Sequence, residues 1–118
     1  MKKVIFYSYS KCSTCRKAAK WLDQNNVNYE FKDIVKEPPP KKFLEIALIQ
    51  FSDCKKKIFN TRGKSFKSMD FDILTLANKQ IVELLLNDGK LIKRPFLVIN
   101  ESKLILGFKD TEYTANFK

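Results

Sequence analysis

The chain contains no histidine and only three cysteines among its 118 residues, together with three glycines and a single tryptophan. Without histidine, every mechanism in which an imidazole activates a serine or cysteine nucleophile is excluded. Three thiols and no imidazole also fall short of the four Cys/His ligands of a structural zinc site. A small, odd cysteine count in a chain without an export signal argues against a framework of structural disulfides. Long apolar runs are missing as well: none approaches the roughly 18 residues that span a bilayer. The first ten residues, MKKVIFYSYS, are basic and then apolar, the order of a signal peptide. Their apolar run, Val4 to Tyr7, is too short for a signal core, and no small-residue cleavage site follows. The expectation is a first strand in a cytoplasmic protein with no membrane association.

What is present suits one domain, residues 1–118, with one packed core. The chain is 44% hydrophobic and holds ten phenylalanines. Its 23 lysines and arginines outweigh 13 acidic residues, for a net charge of +10. That balance attracts anions, whether nucleic acid, acidic protein, phosphate-like ions or glutathione, or reflects a lysine-rich solvated surface. No basic–aromatic repeat or recognition motif supports direct nucleic-acid binding.

Periodicity orders the elements. Residues 3–8 are β-branched and aromatic and predict a strand. After a polar loop, Tyr9 to Lys11, the residues Cys15, Ala18, Ala19 and Leu22 fall on one face of a helix that ends near Asn25-Asn26. Val27 to Ile34 alternates, with Val27, Tyr29 and Phe31 on one face, and predicts a second strand. A β-α-β unit of this kind makes a parallel pair with a right-handed crossover. Pro38-Pro39-Pro40 then stops the chain and can open a helix. Phe43, Leu44, Ala47, Leu48 and Phe51 make the next helical stripe. Lys55 to Ser65 reads as a polar stretch with an Asn60-Thr61-Arg62-Gly63 turn. Weak helical character follows over 71–78, and a clearer helix over 79–87 with Ile81, Leu84 and Leu85 on one face. Phe96 to Asn100 and Leu104 to Leu106 predict a hairpin. The tail from Asp110 predicts a last helix. The fold class is therefore α/β: a mixed four-stranded sheet with a helical insertion, about 40–88, between βαβ and ββα halves.

The chemistry concentrates at Cys12-Ser13-Thr14-Cys15. A C-x-x-C that follows a strand and opens a helix is a redox arrangement. A helix N-terminus carries about half a positive charge and several free N–H groups, both of which favour a thiolate at Cys12. Lys11 and Arg16 add positive charge, Arg16 as a candidate for binding an anionic substrate or glutathione, and no acidic residue occurs before Trp21. Cys12 is the candidate nucleophile and Cys15, one turn on, the candidate resolving thiol, the two closing a disulfide on oxidation. Read blandly, Cys15 is a small buried apolar residue. Cys54, in SDCKKK, reads as a half-buried spare thiol, with a second resolving cysteine as the sharper alternative. Arg94-Pro95 directly precedes a strand: either an ordinary strand entry, or a cis proline whose preceding arginine reaches an anion near Cys12. Arg62, beside Gly63, is a solvated loop arginine or an oxyanion ligand.

The stretches YSYSKCSTCRKAAKWL, FNTRGKSFKSMD and LLLNDGKLIKRPFLVINESKLILGFKDTEY, in this order, resemble the ArsC/Spx family of thioredoxin-like, arsenate reductase-like proteins, and within it the small Spx/MgsR-related members. The resemblance implies a thioredoxin-like sheet, Cys12 as nucleophile and a cis Pro95 beside an anion-binding Arg94. In glutaredoxin-linked arsenate reductases, three arginines hold the oxyanion. Arg94 matches one and Arg62 falls in the region of another, while Lys109 stands where the third would be; a lysine cannot reproduce a bidentate clamp. The implied activity is a thiol–disulfide oxidoreductase with no bound cofactor, reduced by glutathione, through glutaredoxin, or by thioredoxin. The alternative implied by the Spx branch is a redox-sensing regulator that binds the C-terminal domain of the RNA polymerase α subunit. Spx proteins have a longer C-terminal extension than the tail after Asp110, which favours the enzyme.

Overall fold

Two consecutive apolar patterns, one of period two and one of helical period, recur at both ends of the chain and meet in one sheet. The computed structural model describes residues 2–118. β1 (Val4–Ser8), α1 (Ser13–Gln24) and β2 (Glu30–Asp33) form the first unit, and β3 (Phe96–Ile99), β4 (Lys103–Leu106) and α5 (Asp110–Phe117) the last. Between them lie α2 (Lys41–Gln50), the single turn α3 (Lys64–Lys67) and α4 (Asn78–Asn87). The strand order is β2-β1-β3-β4. β1 runs parallel to β2 and antiparallel to β3, which pairs antiparallel with β4. The expected βαβ and ββα halves are thus joined through the central pair β1–β3. Among the described residues no helix is long and apolar enough to cross a membrane.

The central strands are apolar without interruption because both faces of the sheet are covered. Ile5, Tyr7, Phe96, Val98 and Leu104 face one core, closed by α2 and α4 through Phe43, Leu44, Ala47, Ile81 and Leu85. Val4, Phe6, Leu97, Ile99 and Ile105 face the other, closed by Ala18, Trp21 and Leu22 of α1 and by Tyr113 of α5. Trp21 and Tyr113 meet edge to face at 5.4 Å, a geometry worth about 0.5–1.5 kcal/mol beyond the buried area. The β3–β4 turn uses Asn100 and Glu101 at φ 52° and 56°. They are the two central residues of the turn closed by Ser102 N–H donating to Ile99 O at 3.1 Å, and positive φ at both centres follows the right-handed twist of the flanking strands.

Four expectations need correction. The second strand starts at Glu30, not Val27. Val27 and Tyr29 pack against the core before the strand begins, whereas Phe31 is 55% exposed, because β2 is the edge strand and has only β1 as a neighbour. In α1, Trp21 rather than Ala19 is the fourth buried residue beside Cys15, Ala18 and Leu22. The segment 71–78 forms only a 3-10 turn, Ile73–Thr75, closed by the Asp72 carboxylate accepting from the Leu74 N–H at 2.9 Å. An aspartate that bonds its own downstream backbone competes with helix propagation. The stretch 55–65 is not simply polar: it holds a 3-10 turn, Lys55–Ile58, and Ile58 and Phe59 are fully buried. Phe59 bridges to Ile92, with Asn60 N–H donating to Leu91 O at 2.7 Å and Lys93 N–H to Ile58 O at 2.8 Å. This stitch fixes the insertion to the segment just before Arg94.

Gly89 is required by close approach. A Cβ there would lie 2.0 Å from the carbonyl oxygen of Ile34, so the start of the β3 approach rests directly on the backbone that leaves β2.

Candidate functional site

Cys12 is the N-cap of α1, in extended conformation, and its sulfur accepts the Cys15 N–H at 3.3 Å. This is the capping role usually filled by a serine or aspartate oxygen. The loop before it is held twice. Cys12 N–H donates to Tyr9 O at 3.0 Å, and the Arg16 guanidinium donates to Ser10 O at 2.8 Å. Arg16 therefore braces the loop instead of standing free beside the sulfur. Lys11 is exposed next to it.

The positive charge felt by Cys12 comes from across the fold. Arg94 enters with β3, its bond to Pro95 is cis, and its guanidinium stacks over the Tyr9 ring at 5.0 Å. Burial alone would raise the Cys12 thiol. The Cys15 thiol and N–H, then the Arg94 guanidinium and its charge, outweigh burial and hold Cys12 below the ordinary thiol value. Among the described residues the buried Nη1 of Arg94 has no partner. A buried donor in that condition is favoured to bind an acceptor.

Cys15 has the opposite character. It lies 1% exposed on the inner face of α1. Burial first, and then the Cys12 sulfur and its charge, push it up to about 11, against the lowering effect of Ser8 and of the Tyr9 backbone. Both cysteines are free thiols; the expected disulfide is not formed. One thiol is prepared to ionise and its neighbour to stay protonated, which is the arrangement needed for attack followed by resolution.

The other candidate residues are distributed unevenly. Pro95 is buried and its carbonyl accepts from Gly107 N–H at 2.9 Å, fixing the β3 entry against the end of β4. Arg62 is exposed in the turn before α3, and among the described residues no hydrogen bond or ion pair draws it to the Cys12 corner. Lys109 is also exposed. Cys54 is half-buried in a separate region, after α2. Three residues near the pair escape a reading of the sequence. Ser8, at the end of β1, is the one buried polar residue among the described residues; its position directly before the C-x-x-C loop was a usable signal. Tyr9, stacked on Arg94, offered only its proximity to the motif. Tyr113 gave no signal. Among the described residues its buried hydroxyl has no partner, and burial and the nearby Cys15 hold its ionisation above the ordinary phenol range.

Comparison with known proteins agrees with this geometry. The family model described as the ArsC family matches residues 7–116. The protein YusI of Bacillus subtilis is 35% identical over 116 residues, spanning 97% of this chain and 98% of YusI. The regulatory protein MgsR of Bacillus subtilis is 31% identical, spanning 92% of this chain and 86% of MgsR. A crystal structure from Streptococcus mutans, described as that of a possible arsenate reductase, superposes with a TM-score of 0.88 at 36% identity, covering 99% of this chain and 100% of that one. This fold, a thioredoxin-like sheet interrupted by helices, is thus shared with a solved structure over its whole length, and the chain belongs to the ArsC family.

Proposed function

We propose that this protein is a thiol–disulfide oxidoreductase of the arsenate reductase-like group, with Cys12 as nucleophile and Cys15 as resolving thiol. The observation that carries the reading is the placement of the two thiols: the Cys12 sulfur caps α1 and accepts the Cys15 N–H at 3.3 Å, while Cys15 lies 1% exposed one turn on, a setting that lowers Cys12 and raises Cys15. The Cys12 thiolate attacks a sulfur of the substrate disulfide; that S–S bond breaks, and the departing thiolate takes a proton from solvent. The Cys12 sulfur is then covalently bound and uncharged. Two of the causes that hold Cys15 protonated, the Cys12 hydrogen bond and the Cys12 charge, are removed by that step. Cys15 can then release its proton, attack the Cys12 sulfur and expel the reduced partner, leaving a Cys12–Cys15 disulfide. Glutathione, acting through glutaredoxin, or thioredoxin is the proposed reductant that returns the pair to thiols.

Arg94, with its unpartnered Nη1, is proposed to hold an anionic group of the substrate beside Cys12, with Arg16 fixing the loop and Pro95 the strand entry. Arsenate is one such anion, and Arg62 joins the site only if its loop closes. The test is single-turnover oxidation of the reduced protein by a limiting disulfide, with thiols mapped by mass spectrometry. A Cys12–Cys15 disulfide supports the proposal; oxidation that leaves both residues as thiols overturns it. Similarity to MgsR favours a second reading, a cytoplasmic redox switch on the RNA polymerase α subunit. Co-purification with that subunit's C-terminal domain, altered by oxidation and without turnover of arsenate or disulfides, would select it.

A further inference from the structure

The face of α1 that carries the resolving thiol is closed by α5. Cys15, Ala18 and Leu22 lie along the buried side of α1, and Tyr113 of α5 packs into the same core as Ala18, Trp21 and Leu22. Its ring is set edge to face against Trp21 at 5.4 Å and against Phe108 at 4.7 Å. Tyr113 is fully buried, yet among the described residues its hydroxyl has no hydrogen-bond partner. A buried phenol usually finds one, because a donor without an acceptor carries the cost of its lost water. The ionisable groups that act on it are Cys15 first and Glu112 second. Burial above all, then those two charges, keeps the phenol protonated, so it can donate a hydrogen bond and cannot serve as a base.

Cys15 has the complementary need. To attack, it must become a thiolate where it is almost wholly sealed from water, and a buried charge requires hydrogen-bond donors. Burial works against that charge, while the Ser8 side chain of β1 and the Tyr9 backbone favour it. Arg94, from the start of β3, is the charge beside Cys12. From this geometry we infer that the Tyr113 hydroxyl is the donor that receives the Cys15 thiolate during resolution. The inference rests on the proposed attack by Cys12. In the reduced pair the Cys15 thiol bonds to the Cys12 sulfur and the phenol is idle. Once Cys12 is joined to a sulfur of the substrate, Cys15 gives up its proton to solvent and the Tyr113 O–H turns to the new charge. The thiolate then attacks the Cys12 sulfur. The Cys12–Cys15 bond forms, the bond from Cys12 to the substrate's sulfur breaks, and the substrate half leaves with the electron pair and takes a proton from solvent. Tyr113 keeps its own proton throughout. An interaction made with the reacting charge and absent from the resting pair speeds the step it serves.

The test uses the full-length chain with Cys54→Ser, reduced and mixed with an equimolar amount of dithiobis(nitrobenzoic acid), whose thiolate is coloured. Attack by Cys12 releases a first thiolate and resolution by Cys15 a second, so the two steps are timed separately in one stopped-flow trace. Tyr113→Phe should leave the first release unchanged and slow the second about ten-fold, the scale of a hydrogen bond to a charged group. The pH midpoint of the second release should move upward, since the variant lacks a donor to the thiolate. The urea midpoint, measured alongside, should hold, which separates the lost donor from lost packing. A second release of equal rate in the variant, an unmoved pH midpoint, or equal slowing of both releases would overturn the inference. A chain with Tyr113 in place that attacks but never gives the second release would overturn the resolving role of Cys15 and this inference with it, whereas a normal second release in both chains removes Tyr113 alone.

Discussion

The three thiols of this chain occupy two corners built in different ways. Cys12 and Cys15 lie at a helix start, where a sulfur accepts a backbone N–H at 3.3 Å and a guanidinium from another part of the chain lies beside it. Cys54 lies in a connection between α2 and a 3-10 turn, held by backbone bonds to Phe51 and Lys57, with lysines around it and no arginine. At the first corner charge acts at short range, through fixed donors in a partly buried setting, and changes which proton leaves. At the second, the thiol is flanked by exposed lysines, makes no side-chain cap bond, and has no guanidinium among the residues lining the groove beside it. The same residue type thus meets different donors in the two corners.

The largest expected break in the comparison is Cys12→Ser. Disulfide exchange at the C-x-x-C corner should fall by at least about a thousand-fold, since the sole activated thiolate is removed. Cys15→Ser should leave the first attack intact and accumulate a mixed disulfide at Cys12, seen by intact-mass measurement. Cys54→Ser should change neither result, and a loss of Cys12 reactivity in that variant would mean that the corners are coupled.

Gly89→Ala tests the scaffold under the first corner. The new Cβ meets the Ile34 carbonyl, and a backbone atom cannot rotate away. A loss of about 2–3 kcal/mol or more in urea unfolding is expected.

Arg94→Gln tests the remote charge. Removing the guanidinium should move the pH midpoint of Cys12 alkylation upward. The pH dependence of stability provides a further check. Cys15 in the folded chain keeps its proton up to about 11, against an ordinary 9.0. Between those values the folded state holds more protons than the unfolded one, so this contribution is full below 9.0 and is lost as pH rises through about 11. Cys12 is lowered, so its contribution is present above the ordinary value and lost as pH falls through its folded value. Cys15→Ala should therefore flatten the alkaline decline of the urea midpoint, whatever it does to the midpoint at neutral pH.

The smallest effect is expected for Tyr113→Phe. The hydroxyl has no partner, so its deletion should leave stability unchanged or raise it by up to ~1 kcal/mol. A loss above that amount would show that the hydroxyl has a partner in solution.

The sequence by itself determined what rests on neighbouring residues. The C-x-x-C lies across a helix start because Cys12 caps and Ala18 and Leu22 face inward, and the central strands are legible because VIFYS and FLVI are buried on both faces. Asn26, at φ 58°, ends α1 as its side chain allows. The extent of β2 was not legible, because alternation continues through Val27 and Tyr29 into Phe31 while only pairing with β1 says where the strand begins. Nor was the burial of Ile58 and Phe59, which depends on the distant Ile92. At the site the division is the same. The motif named both thiols, but Lys11 and Arg16, its neighbours in sequence, are not the charges that act on Cys12. Only the tertiary structure decided that Arg94 does so and that Tyr113 lies behind Cys15, whose place on the inner face of α1 the helical spacing had already indicated. Ionisation depends on desolvation and on charges through space, and both are set where distant segments of the chain meet.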